Sequence, residues 1–243
     1  MITLNGKSIC SGVAFGRLSV YHKQDRVQVR KAIPDSGAEI LRLNAAIETT
    51  RQELTALYEK TLLELGRESA AIFEAHQLIL EDPELIHSIT IKIEGQKINA
   101  EYAVKRTADQ LIAIFASMKD ELLRARASDI EDVSGRLIQN LSGKEEYYIP
   151  GKDHIILVAN DLAPGEFMEM DSGYILGMIL RQGSLQSHTA ILTRNKNIPA
   201  VCQIDLEPGQ ELNRKFAILD ANLGTVYIDP DASIRKKYQE EYQ

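Results

Sequence analysis

Residues 35 to about 141 carry their apolar side chains at helical spacing, and short β-like segments lie on both sides of that block. This order constrains the fold strongly, because a short strand is not stable alone and must find its sheet partners elsewhere in the chain. Before the block, residues 2–4, 13–21 and 26–29 are β-like, punctuated by Gly6, Gly12 and Gly16. After Ser142-Gly143, residues 155–159 and 174–180 are strand-like and 188–196 helix-like, and 198–204, 216–220 and 225–229 are again strand-like. Strands alternating with helices imply an α/β layer. The simplest architecture makes the helices an insertion. Residues 1–33 and 144–230 then form one discontinuous α/β domain, and 34–143 an inserted helical domain. Residues 231–243, charged and helix-prone, read as the start of a linker helix to a further C-terminal domain.

Inside the block, Ser36 with Glu39 three residues later has the form of a capping box, and Ile40, Leu43, Ile47, Leu54 and Leu57 follow as a long apolar stripe. Gly66 ends it. A second helical pattern runs from Glu68 through Ile72, Phe73 and Leu78 to Leu80, where Asp82-Pro83 punctuates it, and a shorter one runs from Leu85 to Ile93. After Asn99, the residues Val104, Ala108, Leu111, Phe115 and Met118 share one face. Ser128 with Glu131 repeats the capping-box form ahead of Val133, Leu137 and Leu141. Several antiparallel helices with short connections read as a bundle of the four-helix type.

Composition narrows the partners. The chain has 243 residues, 44% hydrophobic and 26% charged, within the range of globular proteins. Its apolar runs, such as 155–159, are far too short to span a bilayer, and the N-terminus lacks the cationic start and apolar core of a secretory signal. Cys10 and Cys202 make neither a disulfide framework nor a metal spacing, so a reducing cytoplasm is expected. A net charge of −7 without any dense Lys/Arg run argues against nucleic acid or anionic membrane as partner. It is compatible with a basic protein partner if the acidic residues are concentrated on one face. Tryptophan is absent, which removes the usual platform for base stacking.

The chemistry concentrates in Gly183-Ser184-Leu185-Gln186-Ser187-His188-Thr189, a polar loop running into the apolar start of a helix. Gly183 suits a tight loop ahead of a helix. An imidazole at that place meets the positive end of the helix dipole and unpaired backbone N–H groups, which favour a phosphate. With an unperturbed pKa of about 6.5, His188 is largely neutral and nucleophilic near pH 7. From these residues alone, a phosphorylated histidine and an ordinary histidine in a helix cap are both open. Four further histidines are less telling. His22, His87 and His154 read as surface residues, whereas His76 occupies a bundle helix beside the acidic run Glu81-Asp82-Glu84. No pair has metal-ligand spacing, so no metal site is expected.

Several motifs together resemble the N-terminal portion of enzyme I of the bacterial phosphoenolpyruvate:sugar phosphotransferase system. They are Ser11-Gly12-Val13-Ala14-Phe15-Gly16, Ala71-Ile72-Phe73-Glu74-Ala75-His76 with Leu80-Glu81-Asp82-Pro83-Glu84-Leu85, and Arg126-Ala127-Ser128-Asp129-Ile130-Glu131-Asp132-Val133. Asn160-Asp161-Leu162-Ala163-Pro164-Gly165-Glu166 and Ser187-His188-Thr189-Ala190-Ile191-Leu192 with Ile198-Pro199-Ala200-Val201 complete the likeness. The resemblance implies a swivelling phosphohistidine α/β domain interrupted by a helical domain that docks the small carrier protein HPr. His188 is then the phosphoryl acceptor through Nε2, a cytoplasmic transferase residue in sugar transport, with Gly183, Gln186, Ser187, Thr189 and Arg126 supporting loop and phosphate. Glu68, Glu74, His76, Asp82, Glu84 and Asp129 are implied as the carrier-docking residues. Phosphoenolpyruvate, Mg²⁺ and the dimer interface are implied to belong to a separate C-terminal barrel. The chain by itself is therefore expected to be monomeric, to need no cofactor, and to exchange phosphate with HPr but not to react with phosphoenolpyruvate.

Four positions depart from the family's pattern. Ser184 and Gln186 stand where it usually has glycine and threonine, Phe167 where a threonine hydrogen-bonds the active imidazole, and Ser69 where a basic residue stands. A phenyl ring cannot take over that hydrogen bond. The alternative these departures motivate is a module that docks the carrier without turnover. The swivelling domain of a dikinase or of phosphoenolpyruvate synthase has a similar histidine signature but resembles only the α/β portion, leaving 35–141 without a counterpart.

Overall fold

A computed structural model of the chain describes residues 1–21, 28–143, 154–206 and 209–242. It divides into two compact units, Met1–Gln24 with Tyr147–Gln243, and Asp25–Glu146. Among the described residues, no helix is long and apolar enough to cross a membrane.

The second unit contains α1 (Ser36–Leu65), α2 (Arg67–Leu80), α3 (Pro83–Gln96), α4 (Ala100–Ala116) and α5 (Glu121–Ser142). The α1 stripe faces inward as its period predicts. Leu43, Leu54 and Leu57 are buried, Ala46, Thr50 and Thr61 are buried with them, and Ile40 and Ile47 are half-buried. Phe73 of α2, Ile89 and Ile93 of α3, Val104 of α4 and Val133 and Leu137 of α5 complete the interior. Each such side chain contributes about 1.5–3 kcal/mol on full burial. Gly66, at φ 83°, separates α1 from α2. Asp82 caps α3 by accepting the Glu84 amide at 2.9 Å, and Pro83 stands first in that helix, where its missing N–H costs nothing.

Neither expected capping box forms. Asp35, one residue ahead of Ser36, is the cap, its Oδ1 accepting the Gly37 and Ala38 amides at 2.8 and 3.1 Å. Glu39 reaches out of its own helix and accepts the Ala100 amide at 2.6 Å, while Arg42 donates to Glu39, to Glu101 and to the Leu141 carbonyl. This cluster ties α1, α4 and α5 together. Hydrogen bonding from Arg42 holds the Glu39 carboxyl below its usual range. Ser128 caps nothing, because α5 has already begun at Glu121.

Residues 31–33, read from the sequence with the α/β portion, close instead on the α3–α4 turn. Ala32 bridges Ile98, Ile33 N–H donates to Lys97 O at 3.0 Å, and Asn99 N–H donates to Lys31 O at 3.0 Å. Of the strand expected at 26–29, residues 26 and 27 lie outside the described residues and 28–29 form no strand. Residue 144, taken as a boundary, also lies outside them.

The first unit is built on β1 (Ile2–Asn5), β2 (Lys7–Cys10), β3 (Val13–Tyr21), β4 (Ile155–Ala159), β5 (Ile175–Leu180), β6 (Ala200–Cys202), β7 (Phe216–Asp220) and β8 (Thr225–Ile228). They form one sheet in the order β1-β8-β7-β3-β4-β5-β6-β2. The run β3-β4-β5-β6 is parallel and the remaining pairs are antiparallel. β4, buried at every residue, has the unbroken apolar composition of an interior parallel strand. β1 and β2 follow one another through Gly6 yet border opposite edges, so one short stretch closes the sheet on itself. Gly6 makes this possible, since its N–H donates to Gly224 O at 2.8 Å and a Cβ on it would stand 2.5 Å from the Cys202 carbonyl. Leu18, Ile156, Val158, Ile179, Val201, Leu219 and Val226 fill the interior.

Three helices complete this unit: α6 (Pro164–Glu169), α7 (His188–Asn195) and α8 (Ala232–Tyr242). β2 and α6 escaped the sequence reading because each is too short to show a period. α8 lies in the stretch read as the start of a linker, and it is fastened to its own sheet. The buried Tyr238 hydroxyl donates to Asp220 Oδ2 at 2.7 Å, and the Arg235 guanidinium stands 4.9 Å from the Phe216 ring centroid. Burial and the Asp220 carboxylate push the Tyr238 phenol well above its usual range.

Candidate functional site

β5 delivers the chain to the loop 181–187, and α7 begins at His188. Ser187 is the cap: its backbone is extended (φ −64°, ψ 155°) and its Oγ accepts the Ala190 amide at 3.1 Å. His188 is therefore the first helical residue, exposed, at the positive end of the α7 dipole. The next residue turns inward. Thr189, 3% exposed, donates through Oγ1 to the Leu162 carbonyl at 2.7 Å, and Thr193 Oγ1 donates to Thr189 O at 2.7 Å. Consecutive helical residues point about 100° apart, as 3.6 residues per turn requires, so one is anchored while its neighbour is displayed. Leu162 lies between β4 and α6, so Thr189 ties the start of α7 to the neighbouring loop.

The loop is laced to its surroundings. Gly183 adopts φ +100°, which L side chains rarely tolerate, although a Cβ there would meet nothing closer than 3.6 Å. Backbone conformation, not space, demands glycine. Gln203 Nε2 donates to Gly183 O at 3.2 Å, Ser184 Oγ accepts the Gln186 amide at 3.2 Å, and Ser187 N–H donates to Ser184 O at 3.2 Å. Arg194 Nη1 folds back on the Leu185 carbonyl at 2.9 Å, one to two turns along the same helix. The side chain of Gln186 is exposed, whereas Phe167 of α6 is fully buried.

The candidate residues of the helical unit fall into two groups. Glu68, Glu74, Asp82 and Glu84 are exposed. At about 1.5 Å per residue, Glu68 and Glu74 lie roughly 9 Å apart along the axis of α2, and Asp82 and Glu84 stand at the start of α3. His76 and Asp129, expected on the same docking face, are 3% and 6% exposed, and burial removes both from direct contact with a partner. The second group is brought together by the fold. His76 Nε2 of α2 stands 3.6 Å from Asp129 Oδ1 of α5, and Arg126 Nη1 stands 3.5 Å from Asp129 Oδ2. The Phe73 ring meets His76 edge-on at 6.1 Å between centroids. The three-residue step from Arg126 to Asp129 is visible in the sequence. Their meeting with His76, on another helix, is not. Ser69 is buried and its Oγ donates to Leu65 O at 3.3 Å.

His87 and His154 are exposed, and His22 lies outside the described residues. Among the described residues, no group of three or more His, Cys, Asp or Glu could hold a metal ion.

Two family models match the chain. "PEP-utilising enzyme, N-terminal" matches residues 5–126, and "PEP-utilising enzyme, mobile domain" matches residues 151–224. The chain belongs to the phosphoenolpyruvate-utilising enzyme family. Within it, the similarity is to the N-terminal portion of enzyme I. The phosphoenolpyruvate-protein phosphotransferase of Bacillus subtilis (strain 168) is 35% identical over 246 residues, covering 100% of this chain and 43% of that protein. An NMR solution structure of Enzyme I (nEIt) superposes with a TM-score of 0.77 at 31% identity, covering 98% of this chain and 97% of that one. The N-terminal domain of Enzyme 1 - Nitrogen gives 0.65 at 25% identity, with 98% of both chains covered. The chain spans less than half the length of the curated relatives it matches.

Proposed function

We propose that His188 carries a phosphoryl group and exchanges it with an HPr-like carrier docked on the helical unit, as the N-terminal part of a cytoplasmic phosphoenolpyruvate-protein phosphotransferase serving sugar transport. The observation that carries this reading is the exposure of His188 at the first position of α7 while Thr189 beside it is anchored to Leu162.

The chemistry asks little covalent help of the protein. The Nε2 lone pair of the neutral imidazole attacks phosphorus in line, and the bond from phosphorus to the carrier breaks, its electron pair returning to the carrier's side chain. The proton on the other ring nitrogen stays in place. Catalysis then rests on positioning and charge neutralisation: amides at a helix start can meet phosphoryl oxygens at His188, and the Arg126 guanidinium can meet those on a carrier docked on the helical unit. The step is reversible because the phosphohistidine N–P bond is labile, so the same residue can serve as donor.

Reaction with phosphoenolpyruvate, and the Mg²⁺ it needs, are assigned to a separate C-terminal domain. The 243-residue chain is accordingly proposed to be a monomer that exchanges with phosphorylated HPr only. One observation favours a second reading, docking without turnover: Phe167 is buried in the core and brings no hydrogen-bonding group to the imidazole. Incubation with radiolabelled phospho-HPr separates the two. Acid-labile, base-stable label on the chain, lost in His188→Ala, is expected. Tight binding of HPr with no label on His188 would establish the second reading.

A further inference from the structure

We propose that Asp129 is a positioning residue that holds the Arg126 guanidinium in place for phosphoryl transfer, with His76 as the buried backing of the pair. This rests on the role given to Arg126 above.

The three side chains form a graded series from the interior to the surface. His76 is 4% and Asp129 8% exposed by side chain, whereas Arg126 is 47% exposed. A carboxylate so buried is costly unless it is compensated, and Asp129 faces His76 Nε2 through Oδ1 and Arg126 Nη1 through Oδ2. His76 Nε2, itself buried, has no hydrogen-bond partner among the described residues. A fold seldom keeps a buried polar nitrogen in that condition without use for it. Here it presents the imidazole edge to the carboxylate and limits the directions in which the carboxylate can turn. α2 supplies the imidazole and α5 the carboxylate, so the arrangement depends on the packing of two helices and not on local sequence.

For Arg126 the consequence is conformational. A guanidinium on a free four-bond stem spreads over many rotamers, and an oxyanion that meets it must order it first. Engagement of Nη1 by a buried carboxylate narrows that spread and leaves the remaining N–H groups for phosphoryl oxygens. Asp129 need not touch the phosphoryl group or the carrier, as its burial demands. Its effect on transfer passes through Arg126.

A double-mutant cycle tests this in the 243-residue chain, with phospho-HPr as donor and transfer to His188 followed by rapid quench. Arg126→Ala and Asp129→Asn are each expected to lower the saturated transfer rate roughly tenfold with little change in KM for phospho-HPr. The double variant should be no slower than Arg126→Ala alone. If Asp129→Asn slows the reaction as much in the Arg126→Ala background as in the parent, Asp129 acts independently and the proposal is wrong. No effect of Arg126→Ala would overturn it as well, and absence of label on His188 in the parent would defeat the proposed function instead. NMR of the Arg126 Nε–Hε group supplies a readout free of activity and, in the parent chain, of any folding defect. Arg126 should be more ordered than the exposed Arg106, and should lose that order in Asp129→Asn. Equal mobility of Arg126 and Arg106 in the parent would refute the holding role.

Discussion

Replacement of Thr189 by valine removes one hydroxyl from the base of the α7 start and leaves the side-chain shape nearly intact. The hydroxyl donates to the Leu162 carbonyl at 2.7 Å, and Thr189 and Leu162 are each 3% exposed. In the variant that carbonyl loses its donor where water cannot easily replace it, a loss of about 1–3 kcal/mol. Thr193 is an internal control. It is also buried and its hydroxyl bond is also 2.7 Å, but the acceptor is the Thr189 carbonyl four residues back in the same helix. That carbonyl belongs to the helical ladder, so Thr193→Val should cost less than about 1 kcal/mol. With two units present, global unfolding need not be two-state, and amide hydrogen exchange in β4 and α7 is the suitable assay. Thr189→Val should accelerate exchange in both elements, because it unties one from the other, and Thr193→Val should leave β4 alone. Slower phosphoryl acceptance by His188 should accompany the first and not the second. Equal protection losses in the two variants, within about 0.3 kcal/mol, would refute the idea that the tie between elements, rather than a buried hydroxyl as such, holds the site.

Gly183→Ala forces an L side chain to φ +100° while meeting no atom closer than 3.6 Å, so it should cost about 1–3 kcal/mol from backbone strain alone. Amide hydrogen exchange in α7 measures it, and unchanged protection would show that the loop relaxes. Tyr238→Phe tests the fastening of α8. Because the Tyr238 phenol is pushed upward in the fold, its contribution is complete below the unfolded value of about 10 and is lost as pH rises beyond it. Unfolding of the parent should weaken relative to Tyr238→Phe above about pH 10, and a constant difference across that range would contradict the reasoning.

Local physics made much of the chain legible. The α1 stripe, the break at Gly66, the Asp82-Pro83 start of α3 and the strands β4, β7 and β8 all depend on a residue and its near neighbours. The failures share a cause. Glu39 sits at capping-box spacing from Ser36, yet its carboxylate goes to the Ala100 amide, a partner sixty-one positions away. Ser128 and Glu131 have the same spacing inside a helix that had begun earlier. By sequence, residues 31–33 go with the α/β portion, but they bond to the α3–α4 turn. In each case a tertiary partner outcompeted a pattern that was locally sound.

The candidate site shows the same division. That His188 stands at a helix start, after a capping serine and a loop glycine, was written in seven consecutive residues, because a helix terminus is set by its own first turn. That its neighbour Thr189 reaches Leu162, that Arg194 returns to Leu185, and that Asp129 is buried between His76 and Arg126 required the assembled backbone. The amino-acid order alone determined which segments coil, which extend and where an imidazole is displayed, since these follow from steric and hydrogen-bonding preferences over a few residues. Only the tertiary structure decided how the sheet closes through Gly6 and which charged groups lie inside, since such contacts join residues whose separation along the chain carries no information about their distance in space.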